Sequence, residues 1–261
     1  IICVGNIYLG GTGKTPLSIE IFNILKNFNK NPAFVKKPYL YLEDEIKMLK
    51  ASGKVFTEKK RVSSISLSIN DNHDVVILDD GFQDFSIKPD IAILCFNSKQ
   101  LIGNGLVIPS GPLRENLSSI KRADCVVING SESLSFEKTL KKINSSIKVF
   151  YSNYKIKNLD RFQDKEVVAF AGIGNPQNFF DLLKENNINL KETFSFPDHH
   201  NYSLKDFNNI SKGKEDVILL TTKKDYFRIT DKKKNLYCLE VDLEIKDKDG
   251  FINLIKNKLW K

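Results

Sequence analysis

The chain has 261 residues, enough for one large or two modest domains, and its 41% hydrophobic and 10% aromatic content excludes a disordered or fibrous chain. Lys and Arg exceed Asp and Glu by a net charge of +8, which fits an anionic partner: a nucleotide, an acidic lipid surface or nucleic acid. A simply lysine-rich composition is the alternative. No apolar run has the length to cross a bilayer and no signal peptide is visible. Cys3, Cys95, Cys125 and Cys238 lie in apolar runs without C-x-x-C spacing, so they read as buried thiols of a cytosolic chain, not zinc ligands or disulfides.

The first stretch, IICVGNIYLGGTGKTP, reads as strand, phosphate loop and helix. Ile1–Val4 supply the strand, and the amides of Gly10, Gly11, Thr12 and Gly13 can converge on a phosphate because glycine permits the turn. Lys14 is placed to reach the β- and γ-phosphates of ATP, and the Thr15 hydroxyl to hold Mg²⁺. The G-x-x-x-x-G-K-[ST] spacing asks for glycine where Tyr8 stands, so a plain connecting turn is the competing reading. Leu17, Ile21, Ile24, Leu25 and Phe28 then recur at helical spacing.

Pro32–Val35 is a short strand, Lys36–Tyr39 a loop, and a helix begins at Tyr41 and takes in Met48 and Leu49. Val55-Phe56 is a strand, Lys59–Arg61 a basic turn, and Val62–Ile69 a helix. Val75–Leu78 are four consecutive aliphatics, the mark of a strand buried on both faces, and Asp79 and Asp80 leave its carboxyl end. Ligands of open parallel sheets bind at that end, so both aspartates are expected at the Mg²⁺ held by Thr15. Ile91–Phe96 and Ala123–Asn129 are further strands, separated by a long proline-stiffened loop that presents Arg114 beside Glu115.

The expected organisation is a parallel α/β nucleotide-binding domain at 1–152, containing the helix Phe136–Ile143 and the strand Val149–Tyr151. A polar linker follows at 153–164, then a smaller α/β domain at 165–248 and a C-terminal helix at 249–261 that packs back on the first domain. The smaller domain reads as strand 167–170, helix 177–185, strand 192–196, helix 204–210, strand 217–220 and a final strand 236–241. Its loop Pro197-Asp198-His199-His200 carries adjacent histidines, an uncommon packing arrangement. Tyr202 reads as a packing aromatic.

Taken together, GNIYLGGTGKTP, EDE (Glu43–Glu45), LDDGFQ (Leu78–Gln83), GNG (Gly103–Gly105), IPSGPLRE (Ile108–Glu115), FAGIGNPQNFF (Phe170–Phe180), DHHNY (Asp198–Tyr202) and TKKD (Thr222–Asp225) resemble the tetraacyldisaccharide 4′-kinase family of Gram-negative bacteria. The resemblance implies a P-loop NTPase-like domain joined to a smaller α/β domain, with the active site in the cleft. It implies ATP-dependent phosphorylation of the 4′-hydroxyl of a lipid A disaccharide 1-phosphate at the cytoplasmic face of the inner membrane. Relatives carry an N-terminal segment that engages that membrane, and its absence here matches a start at Ile1. No nucleic-acid partner is expected. By the same resemblance Lys14 and Thr15 contact phosphate and Mg²⁺, and Asp79 and Asp80 are the Walker-B acids. Asp44 is the general base, His199 its partner, and Arg114 and Glu115 an active-site pair. The family pattern is broken at Glu43 and Ile46 beside the base, at Asp84 where a His is usual, and at Lys223 where a Glu is usual. The stretch before Asp44 is also shortened. A switch ATPase resembling the MinD/ParA group is the rival, but that group has a lysine where Leu9 stands.

Overall fold

The structure, a computed structural model, describes residues 1–39, 43–212 and 217–260. It separates into two compact units: one of Ile1–Pro38, Leu49–Tyr154 and Leu243–Lys261, the other of Tyr39–Met48 and Lys155–Asp242.

The first unit is built on an eight-stranded sheet. In chain order its elements are β1 (Ile2–Gly5), α1 (Lys14–Asn27), β2 (Pro32–Val35), β3 (Val55–Phe56), α3 (Arg61–Asn70) and β4 (Val75–Asp79). They continue with β5 (Ile91–Asn97), β6 (Cys125–Asn129), α4 (Leu134–Ile143), β7 (Lys148–Ile156), β12 (Val241–Ile245) and α8 (Lys248–Leu259). The helix between β2 and β3, α2 (Glu43–Lys50), begins its chain in the second unit. The strand order is β12-β7-β6-β5-β1-β4-β2-β3, with parallel pairing from β7 through β3.

Successive side chains of β1 point to opposite faces, and both are covered. Ile2 and Val4 join a core with Leu17, Ile21 and Leu25 of α1 and with Phe251 and Ile255 of α8. Cys3 joins the opposite core with Phe96, Ile120, Phe136 and Leu140. Double-sided burial is why these strands read as unbroken aliphatic runs. The direction of winding reverses at β1, between β4 and β5, and such a switch point opens a crevice at the carboxyl ends of the strands.

The second unit holds a four-stranded parallel sheet, β11-β10-β8-β9. Its elements are β8 (Val167–Ala171), α5 (Pro176–Glu185), β9 (Leu190–Ser195), α6 (Leu204–Ser211), β10 (Ile218–Thr222), α7 (Lys223–Arg228) and β11 (Leu236–Leu239). Val167, Ala169 and Ala171 face Phe179, Phe180 and Leu183 of α5. Val168 and Phe170 face Phe207 and Ile210 of α6.

Several expectations are corrected. The final strand expected at 236–241 is two strands, and the second, β12, belongs to the first sheet beside β7. The chain therefore rejoins the first unit at Leu243, ahead of the C-terminal helix. β7 extends through Ile156 into the expected linker, whose remainder holds one 3-10 turn at Leu159–Arg161. Residues 39–48, within the expected first domain, group with the second unit. The helix start at Tyr41 lies outside the described residues. In α3 the buried face is Arg61, Ser64 and Ser68, while Val62, Leu67 and Ile69 are exposed, the reverse of an apolar stripe. Cys3, Cys95 and Cys125 are buried free thiols, and Cys238 is half-buried.

Candidate active site

The turn between β1 and α1 is built from unusual backbone. Gly10, Gly11 and Gly13 have φ of 78°, 29° and 91°, a region in which side chains are strained. A Cβ on Gly10 or Gly11 would meet nothing within 4 Å, so the turn is open on that side. Gly13 caps α1, whose first-turn amides lack partners within the helix and form the kind of terminus that binds phosphate. Buried Asn6 braces the turn by donating to Thr12 Oγ1 at 2.9 Å.

Parallel pairing of β1 with β4 sets Val4 opposite Asp79 and brings the two aspartates to this turn. They then diverge. Asp79 is fully buried and accepts from Thr15 Oγ1 at 3.1 Å, Ser18 Oγ at 2.9 Å and Lys36 Nζ at 2.5 Å. Asp80 sits just past the strand at φ 60° and accepts from Arg114 Nη1 at 2.9 Å, with Lys14 Nζ at 3.7 Å. Burial alone would raise its pKa, but Lys14, Arg114 and Lys36 outweigh burial and hold the carboxyl below its usual range.

Arg114 reaches Asp80 because its loop is stitched to the glycine turn. Leu9 N–H donates to Pro112 O at 2.9 Å, Arg114 N–H donates to Ile7 O at 2.7 Å, and Leu113 is buried between. Glu115 accepts from Gln83 Nε2 at 2.9 Å and Arg122 Nη2 at 2.8 Å. A cavity of about 470 Å³ opens here, lined among others by Arg114, Glu115, Ser119 and Arg122.

The second unit carries its own charged cluster. Asp44, in the first turn of α2, is 3% exposed, and its Oδ2 accepts from Arg228 Nε at 2.9 Å and Nη2 at 2.5 Å. His199, at φ 61°, places Nδ1 3.1 Å from the same Arg228 Nη2. Burial, then the Lys224 ammonium, lower the His199 pKa from its ordinary value, against the pull of Asp198. Asp225 is fully buried, with bonds from Thr222 Oγ1 at 2.7 Å, Gly172 N at 3.1 Å and Arg228 Nη1 at 3.0 Å, yet burial prevails and raises its pKa. The neighbouring His200 has a structural role: it stacks on Phe196 at 4.6 Å and meets Asp206 Oδ2 at 3.2 Å. Tyr202 packs edge-on against Phe170 at 5.2 Å.

The structure thus gathers Lys14, Thr15, Asp79, Asp80, Arg114 and Glu115 around one glycine turn, and Asp44 with His199 around Arg228. The model of the family described as tetraacyldisaccharide-1-P 4′-kinase (LpxK) matches residues 1–41 and 36–260. A tetraacyldisaccharide 4′-kinase of Pelagibacter ubique is 41% identical over 98% of this chain and 83% of its own length. The chain belongs to the tetraacyldisaccharide 4′-kinase family. A relative of the same name from Rickettsia canadensis is 34% identical over 100% of this chain and 84% of its own. A crystal structure of LpxK from Aquifex aeolicus in complex with ATP superposes with a TM-score of 0.75 at 26% identity, covering 99% of this chain and 88% of that one.

Within the family pattern, the departure at Asp84 has a visible partner: its Oδ2 accepts from Arg61 Nη1 at 3.0 Å, while Arg61 Nη2 holds Asp80 O at 2.6 Å. Lys223 opens α7, and nothing in its surroundings explains the replacement of a glutamate. Sequence reasoning missed Lys36, read as loop; Arg61, read as a basic turn; and Arg228, which carried no local signal. Asp44 Oδ2 and His199 Nδ1, expected as a pair, both meet Arg228 Nη2.

Proposed function

We propose that this chain transfers the γ-phosphate of ATP to the 4′-hydroxyl of a tetraacyldisaccharide 1-phosphate, giving lipid IVA, at the cytoplasmic face of the inner membrane. The observation that carries the proposal is the β1–β4 register, which sets Asp79 on the Thr15 hydroxyl and Asp80 between Lys14 and Arg114. Membership of the family supports the acceptor. Among the described residues no helix is long and apolar enough to cross a membrane, and the surplus of +8 suits an acidic lipid surface.

Phosphoryl transfer asks chiefly for alignment and for neutralisation of the γ-phosphate. The glycine-turn amides and Lys14 bind and orient the triphosphate, and Arg114 adds a second cation. The donors suit Mg²⁺, which prefers hard oxygens: the Thr15 hydroxyl and Asp80, whose Oδ2 takes no hydrogen bond among the described residues. Asp79 serves as the group that orients Thr15, since Ser18, Thr15 and Lys36 already occupy it. Bound there, Mg²⁺ neutralises phosphate charge.

In the transfer, the 4′-oxygen forms a bond to the γ-phosphorus, the bond to the β,γ-bridging oxygen breaks, and ADP leaves. The hydroxyl proton goes to Asp44. The test is transfer of labelled γ-phosphate from ATP to a tetraacylated disaccharide 1-phosphate. Labelled lipid is expected with the wild type and not with Lys14→Ala. Steady ATP hydrolysis that ignores the lipid would overturn the assignment.

A further inference from the structure

Every N–H of the Arg228 guanidinium has an acceptor. Nε donates to Asp44 Oδ2 at 2.9 Å. Nη1 donates to Gly172 O at 2.7 Å and Asp225 Oδ1 at 3.0 Å. Nη2 donates to Asp44 Oδ2 at 2.5 Å and faces His199 Nδ1 at 3.1 Å. A guanidinium has five N–H donors, accepts nothing and does not lose its proton. The last contact therefore has one polarity: His199 Nδ1 accepts. A neutral imidazole that accepts at Nδ1 carries its proton at Nε2.

Asp44 is held from the same fork. Both Arg228 bonds fall on Oδ2, while Oδ1 is buried without a hydrogen bond among the described residues. Removing Arg228 would leave a carboxylate that is 3% exposed with, among the described residues, Lys224 Nζ at 3.9 Å as its remaining ion-pair partner.

We propose that Arg228 is the positioning residue of this cluster: it fixes His199 as the Nε2–H tautomer and anchors Asp44 by one oxygen, so that Asp44 and not His199 receives the hydroxyl proton. The inference rests on the reading of Asp44 as the base and extends it by dividing the work of the pair. His199 becomes a hydrogen-bond donor through Nε2, its Nδ1 lone pair being occupied. Protonating His199 would set an N–H against Arg228. The charges facing His199 are Asp44 from α2, Asp198 from its own loop, and Lys224 and Arg228 from α7. The downward shift of its pKa agrees with that geometry.

The chain has only three histidines, His73, His199 and His200, so ring ¹⁵N shifts of the full chain are assignable by His73→Gln and His199→Gln. In the wild type near neutral pH, His199 is expected to show a proton-bearing Nε2 and a pyridine-like Nδ1. A proton found on Nδ1 overturns the proposal, and the tautomer itself is read on the wild type, with Arg228 intact. Arg228→Met should mix the tautomers and lower kcat on the order of 10²-fold with KM for ATP unchanged, the scale of misplacing a reacting group. Arg228→Lys keeps the charge but not the fork, and should rescue neither the spectrum nor kcat; wild-type behaviour in it refutes the proposal. If Asp44→Asn keeps full turnover while His199 remains Nε2–H, the base assignment fails and the tautomer control by Arg228 stands.

Discussion

Around the glycine turn, the charged groups come from neighbouring strands in register and from a loop stitched to that turn. Around Asp44 they come from distant parts of the chain, Asp44 and Arg228 being 184 residues apart. The outcomes for buried carboxylates also differ. In the first unit, cations overcome burial at Asp80 and lower its pKa. In the second, burial overcomes three hydrogen-bonding partners at Asp225 and raises its pKa. A site that must receive a polyanion keeps cations in excess, whereas the Arg228 cluster spends its one guanidinium entirely on internal partners.

The contrast can be broken most directly at Asp44. Replacing it with Asn should lower kcat by about 10²–10⁴-fold, the usual worth of a general base, with KM for ATP unchanged; steady-state kinetics with the lipid acceptor decide this. An unchanged kcat would make the second cluster structural. Next comes Lys36→Met, which leaves Asp79 buried without its counter-ion, both side chains being at most 2% exposed. Breaking such a pair from one side costs about 3–5 kcal/mol, which should appear as a lower urea midpoint. Ser203→Ala removes the side chain that accepts from Asp206 N–H at the start of α6, and should cost about 1 kcal/mol in the same assay.

The smallest effect tests the contrast itself. Carboxyl ¹³C titration should place the Asp80 midpoint below, and the Asp225 midpoint above, the ordinary aspartate value of 3.8. For Asp80 the unfolded chain binds the proton more readily. Its contribution to stability is therefore complete above the ordinary value and lost as pH falls through the folded one. Asp225 has the opposite sign: its contribution is greatest in acid and declines as pH rises through its folded pKa. Asp80→Asn should therefore flatten the acid limb of the stability curve, and Asp225→Asn should not.

The sequence was most legible where chemistry is contiguous. Lys14, Thr15 and the glycines share one turn, and Asp79 and Asp80 follow an aliphatic run that can only be an interior strand. The order of the central strands follows from that pattern, because a phosphate loop and two acids at one ligand end require β1 and β4 to be neighbours. Lys36 was illegible because a lysine after a short strand looks like surface; only the insertion of β4 beside β2 brings Asp79 to it. Arg61 was hidden by the apolar residues around it in α3, which face outward. Asp44 was named by resemblance alone, and His199 stood out only as one of two adjacent histidines; their pairing came from the resemblance, since no periodicity links α2 to a loop so far along the chain. The split of 236–245 into β11 and β12 was missed because the two strands are separated by Glu240 alone and differ in their pairing partners, which the sequence does not display.

The return of the chain through β12 and α8 makes the greater part of the smaller unit, residues 155–242, an insert within a larger one that takes up Leu243–Lys261 after it. A fragment ending at 152 would be missing Leu243, Ile245, Phe251 and Ile255 from one face of its sheet, and β7 would become an unprotected edge. The nucleotide-binding unit is thus closed by a strand and helix that follow the insert. Dissection experiments would have to replace the insert with a short bridge between 154 and 243, because simple truncation deletes part of the core it means to isolate.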